Sequence, residues 1–360
     1  MADLMTQTFS YANLTKTYEG FKAPLLKVTV NGTDLVTKLN MPVESVQIKL
    51  SINAANTAIL KIGPIYDEES HSFSKDIKGK FSLGTVVELS IGYQSSAEKV
   101  FKGYVAMLGA EFGQRHYLVV TLMDARRLMM KSGSRQVLHD VKNYSDAVNT
   151  ILKDYTSLGK AVIDATSDKL EHPVSQSQND YRFITQELIA SGKVDREFFV
   201  FADKIYFRKP RGQTSPVLSL KPEEALLSLV VQEEYENLQI EVIGYDPKKQ
   251  VSLSAKTAVK AGKNVKKLGS STPTLSLTDA EADTQEKVNA RAKTIARMRG
   301  CQKQTGSGMT LGLPQIVPGR YLEIKDLESD YGDHKYYITD VMHEMDGTHF
   351  LTQFEFEGWL

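Results

Sequence analysis

The chain has 360 residues, a length that at about 150 residues per domain favours two or three domains. Its 41% hydrophobic and 24% charged residues are typical of a globular protein, and 44 basic residues balance 44 acidic ones, which argues against nucleic acid as the main ligand. The single cysteine, Cys301, excludes an intramolecular disulfide and a zinc or iron–sulfur site built from cysteines.

The first part of the chain, residues 1–135, alternates apolar and polar residues with a period of two, as in Val46, Ile48 and Leu50. Such alternation predicts strands with one face on a core and the other in water. Asn31-Gly32 between two apolar runs predicts a hairpin. We therefore expect an antiparallel β domain here, either a closed barrel or a sandwich.

The pattern changes over residues 136–214, where helical spacing predicts a small α/β domain. Asn179 or Asp180 can cap a helix that runs to about Ala190, and Gly192 suits a left-handed stop after it.

An aromatic hairpin follows in this domain, with Glu197-Phe198-Phe199-Val200-Phe201 as its first strand. Its aromatic residues suit a packed core better than a platform that stacks sugars or bases.

Residues 215–360 return to a β pattern and predict a second β domain with one long helix, about 279–299. Thr278 or Asp279 is the expected cap of this helix, and Gly300 its end. A narrow apolar stripe, Val288, Ala292 and Ile295, predicts that the helix lies on a sheet.

Two segments of this last part suit loops. The glycines from Gly306 to Gly312 miss the dinucleotide-binding fingerprint by one residue and are interpreted as a loop. The stretch from Ala255 to Thr278 contains no acidic residue, so it either faces a lumen or an anionic partner or is a solvated linker. Its basic residues are Lys256, Lys260, Lys263, Lys266 and Lys267.

No constellation of residues predicts chemistry. His343 and His349 are six residues apart rather than the four of a zincin motif, and no nucleophile, base and orienting group stand together. We expect no enzyme activity, catalytic residue, cofactor or metal. A tail-associated peptidoglycan hydrolase and a carbohydrate-binding β-protein remain the alternative hypotheses.

Nothing in the sequence indicates a membrane anchor. No apolar stretch reaches the about 20 residues of a spanning helix, and the N-terminus lacks the basic and apolar segments of a signal peptide. We expect synthesis in the cytoplasm, followed by retention there or by export along a route that reads no signal peptide.

Two motifs carry a resemblance to a known family. An Asp-aromatic-x-Phe helix start precedes the aromatic hairpin, and a Pro-Gly strand precedes a Tyr-Ile strand that ends in His. In this sequence the residues are Asp180, Tyr181, Phe183, Phe198, Phe199, Pro318, Gly319, Tyr337 and His343. The chain thereby resembles baseplate hub proteins of contractile injection systems, which include the phage late control protein D family and the hub part of type VI secretion spike proteins.

The resemblance implies two tube-like antiparallel β-barrel domains that flank the small α/β domain. It also implies a homotrimer, whose six barrels would meet a hexameric tail tube on one side and a trimeric spike on the other. The expected partners are the tail tube protein, a separate spike or needle protein, because no glycine-rich repeat follows Phe356, and other baseplate proteins. The particle would be a phage tail or a tail-like device such as a bacteriocin (tailocin), assembled in the cytoplasm.

Overall fold

A computed structural model describes residues 3–170, 172–259, 268–269, 271–328, 330–332 and 334–359 of the protein. The first part of the chain is mainly strands with short helices between them. Its elements are β1 (Phe9–Ser10), α1 (Tyr11–Thr17), β2 (Pro24–Val30), β3 (Thr33–Asp34), α2 (Leu35–Lys38), β4 (Val43–Ser51), β5 (Thr57–Ile62), β6 (Tyr66–Asp67), β7 (Ser72–Phe73), α3 (Lys75–Lys78), β8 (Val86–Tyr93), β9 (Ser96–Glu111), β10 (Tyr117–Met123) and α4 (Ala125–Met129).

The middle part mixes short strands and helices. Its elements are β11 (Gln136–Leu138), α5 (Tyr144–Leu152) with a 3₁₀ turn (Lys153–Tyr155), β12 (Lys160–Ile163), β13 (Val174–Gln176), α6 (Asp180–Arg182) continued by a π-helix (Phe183–Ala190), β14 (Glu197–Phe201) and β15 (Lys204–Arg208).

The last part contains the longest helix and all the remaining strands of the described residues. Its elements are β16 (Pro216–Leu220), β17 (Leu226–Glu233), β18 (Gln239–Asp246), β19 (Val251–Ala258), β20 (Thr274–Thr278), α7 (Gln285–Cys301), β21 (Gln304–Leu311), β22 (Tyr321–Ile324), β23 (His334–Asp346) and β24 (Phe350–Trp359).

One large sheet joins the two ends of the chain. Its order is β1-β16-β22-β23-β4-β5-β10-β9-β8-β2-β3, with β24 paired to β23 and β21, and β17 paired to β21. The central pairing is between β23 and β4, where Val341 lies opposite Leu50. The alternation seen in the sequence of β4 matches its burial, since Val46, Ile48 and Leu50 are at most 2% exposed.

The expected hairpin at Asn31-Gly32 is confirmed. Both residues have a positive φ, +48° and +78°, and they connect the antiparallel strands β2 and β3. Two successive left-handed residues are what a tight two-residue hairpin turn requires, and asparagine and glycine adopt that conformation at least cost.

The middle part has a core of its own, built from α5, the π-helix and one side of the β14–β15 hairpin. The other side of this hairpin belongs to the large core, which also contains residues of β4 and β23. The expectation of a mainly β chain with a small α/β unit is thus confirmed. The two tube-like barrels and the boundaries 1–135, 136–214 and 215–360 stay predictions.

The long helix lies where expected, but its predicted ends are wrong. The backbone of Asp279 still hydrogen-bonds to Ile243 beside β20, so the chain is extended there rather than helical. The helix begins at Gln285, because the side chain of Thr284 accepts a hydrogen bond from the amide of Lys287 and caps it. It continues through Gly300 to Cys301. The predicted apolar stripe is confirmed, since Val288, Ala292 and Ile295 are buried against a sheet formed by β18, β19 and β20.

The interpretation of Gly306–Gly312 as a loop is wrong, because most of this segment is strand β21 between β17 and β24. The glycines leave room for phenylalanine rings on β24. A Cβ atom on Gly308 would lie 2.3 Å from the ring of Phe354, and one on Gly306 would lie 2.2 Å from the ring of Phe356. Glycine is rare in strands in general, but here the ring of an aromatic neighbour occupies the space that a side chain would take.

Candidate functional site

The helix start of the first motif is held by a buried carboxylate. Asn179 caps the helix by accepting from the amide of Arg182 at 2.9 Å. Asp180 is 0% exposed, and Arg135 donates to both of its oxygens, at 3.0 and 2.9 Å. Tyr155 donates at 2.7 Å and Gln176 at 2.7 Å. Asp180 therefore fixes the start of the helix to Arg135, Tyr155 and Gln176, and it has no free oxygen for chemistry.

The two aromatic residues that follow have different roles. The hydroxyl of Tyr181 donates to the carbonyl of Asn53 at 3.1 Å and so connects the helix to the loop after β4. Phe183 is buried in the core of the middle part.

The aromatic hairpin connects two cores. Phe198 packs into the core of the middle part, whereas its neighbour Phe199 packs into the large core, because successive strand residues point to opposite faces. Phe199 stacks on Tyr206 of β15 with 4.9 Å between ring centroids. The prediction that these aromatic residues form core rather than a stacking platform is confirmed.

A cross-strand ion pair at the open end of the hairpin brings the two motifs together. Nε of Arg208 donates to Oε1 of Glu197 at 2.7 Å, and Nη2 of Arg208 donates to the carbonyl of Gly319. The hydroxyl of Tyr337 donates to the other oxygen of Glu197 at 2.5 Å. Hairpin, Pro-Gly segment and β23 thus meet at one carboxylate.

Glycine is required at position 319 by both space and conformation. Its φ is +80°, and a Cβ atom there would lie 2.8 Å from the ring of Phe199. Pro318 beside it is buried.

Burial shifts the pKa values of the two acidic groups at this junction, Glu197 and Tyr337. It raises the pKa of Glu197 even though Arg208 works against the rise, and it raises the pKa of Tyr337 well above the ordinary value. The sequence prediction did not single out Glu197 and Arg208 as site residues. The available signal was their position, since one charged residue stands at each open end of the hairpin, apart from the charged residues of its turn, and the two lie directly opposite each other.

His343 lies apart from this junction, in the large core. It is 1% exposed, its Nδ1 is 2.9 Å from Oγ1 of Thr352, and burial lowers its pKa to about 3. A neutral buried histidine beside a threonine is a packed core residue. Within the described ranges, no three His, Cys, Asp or Glu side chains are grouped so that they could hold a metal ion.

Only one of the five lysines of the predicted basic loop lies within the described part of the chain. Lys256 is on β19, half exposed, with its Nζ 3.5 Å from Oε1 of Glu241. Lys260, Lys263, Lys266 and Lys267 lie outside the described residues.

A half-open cleft of about 240 Å³ lies next to the junction. Three residues of the two motifs line it, Tyr181, Phe198 and Tyr337, together with residues of α7 and β24. The cleft therefore lies where the three parts of the chain meet.

The fold is that of tail proteins of phages and prophages. The chain superposes on a tail protein from Neisseria meningitidis with a TM-score of 0.68 and 11% identity, over 93% of this chain and 97% of that one. A 43 kDa tail protein of the prophage MuSo2 from Shewanella oneidensis gives a TM-score of 0.66 and 11% identity, over 93% of this chain and 98% of that one. An E. coli protein described as a component of the type VI secretion system gives 0.55 and 11% identity, over 91% and 76%.

Residues 22–347 match the family model described as the Alg8 N-terminal domain, and the chain belongs to this family. No curated protein sequence matches the chain. No helix in the described ranges has the length and apolar character needed to cross a membrane.

Proposed function

We propose that the protein is a structural component of a phage tail or tail-like particle, and that it acts there as a homotrimeric baseplate hub between a hexameric tail tube and a trimeric spike. The similarity of fold carries this proposal, because it extends over nearly the whole length of this chain and of two tail proteins. A second support is chemical. The charged groups Glu197 and Arg208 at the junction, and Asp180 at the helix start, are held by neighbours within the chain, as in a structural protein rather than an active site.

An exposed sheet edge supports the association of several copies. In the described residues β17 pairs with β21 alone, which leaves its other edge open. Leu227 and Val230 on this strand are 52% and 51% exposed. An open edge that carries apolar side chains is a surface that proteins normally cover, and closed symmetric assembly covers it without leaving a free end.

The mass of the purified protein in solution tests the trimer. We expect light scattering to give three times the 40.2 kDa of one chain. Replacing both edge residues, Leu227→Asp with Val230→Asp, should shift the protein towards the monomer, because the charges cannot be buried between copies. The matched control is Leu128→Asp, which alters an exposed leucine on α4 and should leave the mass unchanged. A monomeric wild type would contradict the homotrimer, and a trimeric double variant would exclude the β17 edge as its interface.

Particles from a strain that lacks the protein test the place in the assembly. We expect electron microscopy to show tubes and sheaths without attached baseplates. Intact particles, or clearing of purified cell walls by the protein, would contradict a structural hub, and the latter would favour the peptidoglycan hydrolase.

Under the same proposal, the five-lysine segment faces the lumen of the hub or a partner protein. Replacing Lys256, Lys260, Lys263, Lys266 and Lys267 by serine should then impair assembly or contraction. Unchanged particles would show that the segment is a solvated linker.

A further inference from the structure

The walls of the cleft beside the hairpin carry one more guanidinium group than carboxylate group. Three guanidinium groups line it, those of Arg196, Arg211 and Arg297, against the carboxylates of Glu197 and Glu357. Adding the direct ion-pair partners, Arg208 on Glu197 and Asp195 on Arg297, gives four guanidinium groups and three carboxylates.

Among the described residues, two of the guanidinium groups form no direct ion pair with a carboxylate, although Arg211 interacts electrostatically with Glu197 and Glu357. In the part of the chain that the structure describes, Arg196 donates to backbone carbonyls alone, those of Asp195 at 2.8 Å, Asp164 at 3.4 Å and Ala165. Arg211 lies over the ring of Tyr337, 4.4 Å from its centroid, and donates to the backbone carbonyl of Glu357. In addition, Nε of Arg297 is buried and has no acceptor among the described residues. Partly buried guanidinium groups with free donors are suited to a carboxylate, which accepts two parallel hydrogen bonds.

The rest of the wall is apolar. Ile52, Ile189, Phe198 and Met298 line the same cleft. A free anion would gain nothing from these side chains, whereas an extended polypeptide could place apolar side chains on them on either side of one carboxylate. The volume, about 240 Å³, is below the about 300 Å³ at which pockets for drug-sized ligands begin and suits a few side chains.

We propose that this cleft binds an extended segment of a partner protein that brings one aspartate or glutamate, flanked by apolar residues, to Arg196, Arg211 and Arg297. The segment would cross the place where the hairpin, α7 and β24 meet, and its binding would hold these elements together. The proposal rests only on the residues that line the cleft, so it does not depend on the hub function.

The only cysteine of the chain provides a probe inside the site. Cys301 lines the cleft and is half-buried, so the rate of its alkylation by iodoacetamide reports on whether the cleft is occupied. The ligand probe is an acetylated and amidated pentapeptide with one central aspartate between two leucines. We expect this peptide to slow alkylation severalfold, and the same peptide with asparagine to bind about tenfold more weakly, because it loses the charge-assisted hydrogen bonds.

Variants of the arginines separate this site from an unspecific effect. Arg196→Gln and Arg211→Gln should each weaken binding of the aspartate peptide about tenfold. The matched control is Arg115→Gln, because the Arg115 side chain is 75% exposed and lies on the distant β9–β10 hairpin. If circular dichroism shows that Arg211→Gln does not fold, the binding of the aspartate peptide to Arg196→Gln alone tests the proposal. Equal binding of the aspartate and asparagine peptides, or unchanged binding to Arg196→Gln, would overturn the proposal, and so would equal protection by sodium acetate, which would identify a free anion as the ligand.

A crosslink in the assembled particle tests the partner. A photoreactive maleimide on Cys301 should capture a peptide of a different particle protein that contains an aspartate or glutamate. Capture of a segment without acidic residues, of another copy of this chain, or of nothing would overturn the proposal while leaving the hub function in place. If the particles lack the protein altogether, the hub function fails, and the peptide experiment still decides on the cleft.

Discussion

A buried arginine beneath the hairpin shows how single residues hold this fold together. Arg126 is 0% exposed and donates to Asp124 at 2.8 and 3.0 Å, to Asn56 at 2.7 Å and to the carbonyl of Ser51 at 2.9 Å. Asn56 in turn donates to the carbonyl of Val200 in the hairpin at 2.8 Å. The network joins the end of β4, the start of α4 and β14, and it gives each of the three side-chain nitrogens of Arg126 an acceptor.

Replacing Arg126 should destabilise the protein strongly, because its ion-pair partner Asp124 remains buried. Arg126→Met keeps most of the volume but leaves the carboxylate of Asp124 buried without a counter-charge. We expect a loss of about 3–5 kcal/mol in the free energy of unfolding, measured by denaturant titration. The matched control is Arg127→Met at the neighbouring half-buried position, which should cost less than about 1 kcal/mol. Equal losses in the two variants would contradict the role of the network.

The glycines of β21 make a second prediction at this scale. Gly308→Ala would place its Cβ on the ring of Phe354, so we expect a loss of about 1–3 kcal/mol. Adding Phe354→Leu should relieve the clash and make the double variant less destabilised than the two single losses added together. The control is Gly109→Ala on β9, where a Cβ atom would meet nothing within 4 Å. Additive losses would show that ring and glycine do not share the space.

At the scale of elements, the start of α6 depends on the ionised form of Asp180. Burial alone would raise the pKa of Asp180, but hydrogen bonds from Arg135, Tyr155 and Gln176 outweigh it and hold the pKa below its ordinary value of 3.8. The folded state therefore binds the proton less well than the unfolded state. The resulting stability is fully present above the ordinary pKa and is lost as the pH falls through the folded value.

Asp180→Asn removes this contribution and so exposes its pH dependence. We expect the difference in unfolding free energy between wild type and variant to be constant above about pH 5 and to shrink as the pH falls below the ordinary pKa. The comparison is Asp154→Asn, which removes the other carboxylate on Arg135, one that is 61% exposed and so screened by water. This control should change stability much less. A difference that persists unchanged to pH 3 would show that the charge of Asp180 is not responsible.

Local sequence patterns predict an element correctly where residues a few positions apart determine its structure. The alternation of β4, the Asn31-Gly32 turn, the Asn179 cap and the aromatic hairpin all depend on residues a few positions apart. The ends of α7 were missed because the extended chain at Asp279 is held by the distant Ile243.

The same reason explains the errors at β21 and in the site. A glycine-rich strand is recognisable only together with the phenylalanines of β24, and the junction at Glu197 only together with Gly319 and Tyr337. The pairing of β4 with β23 likewise joins residues nearly 300 positions apart, and no periodicity within either strand specifies its partner.

At the scale of the whole molecule, the chain divides into cores of very different size. The large core extends from β2 through β4 and β23 to β24, whereas the sheet of β18, β19 and β20 with α7 has a small cluster around Ile240, Val242 and Val288. Stability against local opening follows the amount of buried apolar contact. The small unit should therefore open without the large sheet.

Hydrogen exchange under native conditions measures this hierarchy. We expect amides of β18 to exchange through an opening of lower free energy than amides of β4. Val288→Ala removes methyl groups from the small core alone, so it should lower the protection of β18 by about 2 kcal/mol and leave β4 unchanged. Val46→Ala, at a residue 2% exposed in the large core, should instead lower the protection of β4 and of its partner β23. If Val288→Ala accelerates exchange equally in β18 and β4, the molecule opens as one cooperative unit, and the small sheet does not open independently of the large one.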